Sequence, residues 1–220
     1  MSQRPSGHAR VRDDFYAEPA ECTVSLIEAC DWIRGGFHDP FAGTGDGTIE
    51  AAARYDIAAT GADLVDRADG RFPTRDFFSD TATYTNIVCN PPFKRAQDAI
   101  EYGLERLVVG GRIAVFADVN FLSAQCRYAL HSRGEFEGLL VLMKRPSCPP
   151  GGAFLAGTIK RGNGSSNYGW FIYQRGRRGS VATLTFAPPN NRIRGDCLDA
   201  RRAIAAVTEN ANASELRPQK

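Results

Sequence analysis

Apolar and polar positions alternate along the chain with two periods, and the switches between them mark a regular succession of strands and helices. Residues 20–33 (AECTVSLIEACDWI) predict an opening helix. Phe37 leads a short strand into Asp39-Pro40-Phe41, a glycine-rich turn follows, and residues 48–55 (TIEAAARY) predict the next helix. Residues 57–65 (IAATGADLV) and 84–89 (YTNIVC) read as strands. Over 95–109, Ala96, Ala99, Ile100, Leu104 and Leu107 recur at helical spacing until Gly110-Gly111, read as the helix stop. Residues 112–118 predict a buried strand, 123–132 a helix, and 137–143 another strand. A loop rich in Pro, Gly, Ser and Asn runs from Pro146 to Asn167, and 168–174 and 181–187 close the series as strands. Strands alternating with helices predict an α/β fold: a doubly wound, mostly parallel, seven-stranded sheet covered on both faces.

Composition narrows this little. The 220 residues suffice for one sizeable domain, and no internal repeat is visible. No apolar run approaches the ~20 residues that span a bilayer, so no membrane partner is expected. The six cysteines are scattered without a C-x-x-C pair and the three histidines lie far apart, so neither a disulfide framework nor a metal site is expected. Free thiols suit a reducing, cytoplasmic setting. Residues 1–12 read as a flexible arm, 13–207 as the folded domain, and 208–220 as a disordered tail.

Net charge is only +2 but unevenly spread. The segment 144–202 carries Lys144, Arg145, Lys160, Arg161, Arg175, Arg177, Arg178, Arg192, Arg194, Arg201 and Arg202, against Asp196 and Asp199. Such a stretch is either a phosphate-binding face or a solvated rim.

Candidate chemistry concentrates at strand ends. In Asp39–Thr48 (DPFAGTGDGT) a strand runs into Gly43, Gly45 and Gly47, which permit positive φ and close ligand approach. The spacing is not the G-x-G-x-x-G of dinucleotide sites, and acids at Asp39 and Asp46 suit a ligand bearing an amino group and a sulfonium better than a pyrophosphate. Asp63, about twenty residues on, is placed to accept ribose hydroxyls, with Asp66 as its competitor. Asp76-Phe77-Phe78 offers an acceptor for an adenine amino group beside two rings, or simply a cap and two core residues.

Asn90-Pro91-Pro92-Phe93 is the most informative string. Two prolines cannot continue a central strand, and they stiffen its exit. The Asn90 side chain and the Pro91 carbonyl would then point into one space as two acceptors, which a planar amino group can bridge. Drawing on both hydrogens favours a more tetrahedral nitrogen as it forms a new bond. Phe93 could stack on a flat base.

These residues resemble the class I amino-methyltransferases of DNA adenine, over about Asp14 to Gln174, and in compactness the small phage and prophage members. The resemblance implies a Rossmann-like class I methyltransferase fold with S-adenosylmethionine as methyl donor and the 6-amino group of adenine as acceptor. Asn90, Pro91, Pro92 and Phe93 look like the catalytic tetrapeptide. Asp39, Phe41, Ala42, Gly43, Thr44 and Gly45 look like the cofactor loop. Phe15, Tyr16, Ala17, Glu18, Pro19 and Thr23 resemble the segment that closes over the methionine end. Asp63 and Leu64 would meet the ribose, Asp76 and Phe77 the adenine. Gly169-Trp170-Phe171 fits a pocket wall or plain core. The family's separate target-recognition region has no room here, since only about forty residues separate the glycine turn from Asn90. The loop 146–167 and the basic segment remain for contact with nucleic acid, DNA first and RNA second. The same geometry also suits an RNA adenine or a protein glutamine amide, and a non-catalytic cofactor- or nucleic-acid-binding module is the reading outside enzymes.

Overall fold

The computed structural model describes residues 16–151, 157, 164 and 166–187. The arm 1–12, the tail 208–220 and most of the loop 152–165 lie outside the described residues.

Among the described residues seven strands form one sheet: β1 Phe37–Asp39, β2 Ala59–Gly61, β3 Tyr84–Cys89, β4 Leu107–Asp118, β5 Phe136–Leu142, β6 Tyr168–Gln174 and β7 Thr183–Ala187. Their order is β2-β1-β3-β4-β6-β5-β7. Only β6 runs against the others, pairing antiparallel with β4 and β5. The expected doubly wound, mostly parallel sheet is the one observed.

Side chains of the central strands alternate between two cores. Val88, Ala114, Phe116, Leu140 and Trp170 fill one face with helices α1 (Ala20–Ala29) and α2 (Thr48–Arg54). Ile87, Cys89, Ile113, Val115 and Phe171 fill the other with α3 (Ala96–Arg106). A strand buried on both faces has no polar side to show, hence the apolar runs Ile87–Cys89 of β3 and Tyr168–Tyr173 of β6. Trp170 is fully buried, and its indole N–H donates to the Cys22 carbonyl at 2.8 Å, tying β6 to α1. With Phe171 it belongs to the core and not to a pocket wall.

Three elements differ from expectation. The helix expected to end at Gly110-Gly111 ends at Arg106, and both glycines lie inside β4. There Leu107 pairs with Tyr84 and Arg112 with Asn86, so β4 bulges between them, with Gly110 at φ +86. The strand expected over 57–65 keeps only Ala59–Gly61, because its continuation turns away to form the cleft described below. The helix expected over 123–132 is a series of short turns ending in α4 (Tyr128–His131). No helix among the described residues is long and apolar enough to cross a membrane.

The basic segment divides between the two ends of the sheet. Lys144 and Arg145 follow β5 at the end where the parallel strands finish. Arg175, Arg177 and Arg178 follow the reversed β6 and so lie at the opposite end. Arg175 donates to the carbonyls of Glu105 and Leu107, and Arg177 to those of Gly134, Phe136 and Val181. These two arginines satisfy backbone acceptors, which removes them from any phosphate-binding face shared with the site. Lys160, Arg161, Arg192, Arg194, Arg201 and Arg202 lie outside the described residues.

His38 in β1 stacks on Tyr84 at 4.4 Å, and its Nδ1 shares a hydrogen bond with the Thr60 hydroxyl at 2.8 Å. Its Nε2 is buried without a partner among the described residues. Burial lowers its pKa from 6.5 to about 4. The unfolded chain therefore takes up a proton between pH 6.5 and 4 that the folded chain refuses. The stabilisation is complete above pH 6.5 and is lost as pH falls towards 4. Urea unfolding of His38→Gln across that window should show a shallower decline than the parent; parallel declines would exclude His38 as a contributor.

Candidate active site

The chain leaves β1 towards β2 on one side and later returns to lay β3 on β1's other side. The connections diverge at this point, and open α/β sheets bind ligands in the crevice it leaves. A cleft of about 200 Å³ opens there. Pro40 and Phe41 line it from the end of β1, Asp63, Leu64 and Val65 from beyond β2, and Asn90 and Pro92 from the end of β3. Asp76, Phe77 and Phe78 supply a further wall, with Tyr16, Arg67, Arg75 and Arg95 around them.

The glycine turn is held by carboxylates. Asp39 is buried, accepting from the Phe41 N–H at 2.9 Å and from the Thr48 hydroxyl. Asp63 accepts from the Gly43 N–H at 2.9 Å, twenty residues away, and from the Val65 N–H at 3.0 Å. The Arg67 guanidinium donates to it at 2.6 Å. Gly43 and Gly45 adopt φ +56 and +82, as their role in the turn requires. Gly47 does not; its φ is −93. Its lack of a side chain matters for another reason: a Cβ there would lie 2.2 Å from Glu18 Oε1.

Asp76 caps the short turn Phe77–Ser79 through the Phe78 N–H at 3.0 Å. Phe77 is buried and meets Phe41 edge-on at 5.5 Å, while Arg95 lies over the Phe78 ring at 3.9 Å.

Asn90 is fixed from the N-terminal side. Its Nδ2 donates to Glu18 Oε2 at 2.6 Å and to the Tyr16 carbonyl at 3.1 Å. Its Oδ1 accepts nothing from the described residues. The segment carrying Tyr16 and Glu18 is itself clipped by the Ala17 N–H donating to the Pro149 carbonyl at 3.1 Å and by a bridge between Tyr16 and Pro150. Phe93 does not line the cleft; its ring lies 5.4 Å from that of Tyr16 and 6.3 Å from that of Tyr168.

No protein-family model matches the chain, and no curated protein does. Solved structures do. One, from Listeria monocytogenes and assigned to the class I S-adenosylmethionine-dependent methyltransferases, is 12% identical over 84% of this chain and 70% of its own, with a TM-score of 0.54. The type IIG restriction endonuclease BpuSI is 16% identical over 77% of this chain and 26% of its own, with a TM-score of 0.51. The chain has a class I methyltransferase fold.

Within that methyltransferase fold, the residues expected from sequence separate into two sets. Tyr16, Phe41, Asp63, Leu64, Asp76, Phe77, Asn90 and Pro92 meet around one cleft. Asp39, Ala42, Gly43, Gly45, Pro91 and Thr23 are buried and are not among the residues lining the cleft. Asp39, expected against a ligand, has both oxygens engaged by the turn, and Thr23 is sealed within α1. Thr44 bonds Asp46, and Pro19 is the residue ahead of α1. Asp66 accepts from the Ala68 and Gly70 N–H groups of its own loop and does not line the cleft. Sequence reading passed over Arg67, Arg75 and Arg95, whose contacts with Asp63, Asp80 and Asp98 could have been read only as i,i+4, i,i+5 and i,i+3 pairs.

Burial pushes the Asp39 carboxyl up to about 8, only partly offset by Thr48 and Phe41. The folded chain thus holds a proton that the unfolded chain releases near pH 4, and stability from this source falls as pH rises from about 4 to 8. Asp39→Asn, whose Oδ1 can accept from the Phe41 N–H and whose Nδ2 can donate to the Thr48 hydroxyl oxygen, should remove that slope and leave the variant more stable than the parent at pH 8 in thermal melts. Greater stability of the parent at that pH would contradict the buried neutral carboxyl.

Proposed function

We propose that this chain transfers a methyl group from S-adenosylmethionine to the exocyclic amino group of adenine in DNA. The observation that carries the reading is the state of Asn90. Both of its N–H donors are spent on Glu18 and Tyr16, so the side chain offers the cleft an acceptor only. A partner for it must donate hydrogens, as an aromatic amine does. The class I methyltransferase fold and the position of Asn90 at the sheet's crevice support the same reading.

The cleft's chemistry fits the cofactor. The carboxylates of Asp63 and Asp76 lie between Leu64, Phe41, Phe77 and Phe78, a combination of acceptors and apolar surface that suits ribose hydroxyls and an adenine ring. Ribose bound at Asp63 would take the place of the Arg67 guanidinium. Glu18, beside the glycine turn, supplies negative charge where an ammonium or sulfonium would lie. When bound, the cofactor supplies an activated methyl group on a sulfonium.

Asn90 Oδ1 would accept one hydrogen of the target amino group, and the Pro91 carbonyl the other. Holding both draws the nitrogen lone pair out of the ring's conjugation and aims it, which lowers the barrier to bond formation. The proton shed by the methylated nitrogen leaves to solvent. Tyr16 and Phe93 offer aromatic surface for the base, which must leave its stack to reach the cleft. Lys94, Arg95, Lys144 and Arg145, all at this end of the sheet, would meet the flanking phosphates.

Incubation with radiolabelled S-adenosylmethionine and unmethylated DNA, RNA or protein extract tests the reading. Label recovered as methylated adenine from DNA is expected; label confined to RNA or to glutamine would replace the substrate, and none would remove the activity. Asn90→Ala should abolish transfer while cofactor affinity stays within a few-fold; retained turnover would refute the mechanism. Asp63→Ala should weaken cofactor binding by about 1–3 kcal/mol in calorimetry, and undiminished binding would take Asp63 out of the cofactor site.

A further inference from the structure

Glu18 lies where three parts of the chain converge. It directly precedes Pro19, the N-cap of α1. Its Oε2 accepts from Asn90 Nδ2 at 2.6 Å, beyond the end of β3. Its Oε1 occupies the space that a side chain at Gly47 would fill. Gly47 has no need of glycine's left-handed freedom, so the room it leaves for this carboxylate is its evident contribution.

The two ends of an asparagine amide are nearly equal in shape and opposite in hydrogen-bonding sense. Which end faces a cleft is therefore decided by the groups behind it. Here both groups, a carboxylate and a backbone carbonyl, can only accept. A flipped amide would set its oxygen against both of them at hydrogen-bond distance, losing two bonds and adding repulsion.

We propose that Glu18 is a positioning residue: it fixes the Asn90 amide with its oxygen towards the cleft, and so restricts the acceptor substrate to one that donates hydrogens. The first half stands on the geometry alone; the restriction on substrate rests on the methyltransferase reading above. The role is separate from any charge that Glu18 offers the methyl donor: it acts through Asn90, so it is read in turnover at saturating cofactor.

Three variants of the full chain separate these roles. Glu18→Met removes the acceptor. Glu18→Gln keeps an acceptor oxygen. Gly47→Ala leaves Glu18 intact but pushes its carboxylate away. The first readout is the pair of Asn90 side-chain amide protons in nitrogen-15 spectra without substrate, assigned by their loss in Asn90→Ala. In the parent both should be shifted downfield and protected from solvent exchange. Glu18→Met and Gly47→Ala should lose that protection for one proton, and Glu18→Gln should keep it. The second readout is turnover at saturating cofactor, which should fall about a hundredfold in Glu18→Met and Gly47→Ala, as expected for a misplaced catalytic group, and recover at least about tenfold in Glu18→Gln. Unchanged Asn90 protons in both Glu18→Met and Gly47→Ala would overturn the proposal, whatever the activity. So would a Glu18→Met variant that loses cofactor affinity but turns over normally once saturated. A parent with protected Asn90 protons but no methyl transfer to any acceptor would remove the methyltransferase reading and leave the orientation of Asn90 by Glu18 standing.

Discussion

The divergence of the chain on either side of β1 is the constraint from which the site follows. Because β2 and β3 flank β1, the segments leaving β1 and β3 cannot cover the gap between their ends. Something must hold the edges of that gap, since backbone donors there have no strand to pair with. Asp39 and Asp63 do so for the glycine turn, each accepting from an N–H that the turn strands. Glu18 does so for Asn90. The cleft is thus bounded by carboxyl groups that first satisfy the protein's own donors.

What could be read from the sequence was whatever is encoded locally. The β3 run YTNIVC, apolar and buried over its last three residues, leads into a double proline, and its limits are those observed. The bounds of β6, the buried run YGWFIYQ, were legible for the same reason. Asn90 was recognisable because it follows a strand that runs into a double proline, and Asp63 because it lies about twenty residues past the glycine turn. The failures share a cause. Gly110-Gly111 carries a stop signal that a helix and a bulge use alike, and only the pairing of Leu107 with Tyr84 decides between them. Asp39 and Thr23 have the chemistry of ligand-binding groups, but whether a side chain points outward is set by packing. The bond from Asn90 to Glu18 joins residues 72 apart and leaves no trace in either neighbourhood.

Charge shows the same limit from another side. A basic stretch invites a nucleic-acid reading, and Lys144 and Arg145 lie at the end of the sheet that bears the cleft. Arg175 and Arg177, however, are spent on carbonyls where strands and turns end. A guanidinium has five donors in a fixed fork and can serve several acceptors at once. Arginine near the end of a sheet is therefore as much a terminator as a cation, and counting it as surface charge overstates the field available for binding phosphate.

The clip of the N-terminal segment onto Pro149 and Pro150 has a consequence in time. Asn90 is oriented by residues 16 and 18, which are themselves held by residues about 130 positions further along the chain. Trp170, reaching back to Cys22, spans 148 positions. During synthesis the glycine turn and the double proline emerge early, yet the strap that arms them has nothing to fasten to until most of the chain has left the ribosome. Fragments released before that point would carry every motif of the site without its geometry.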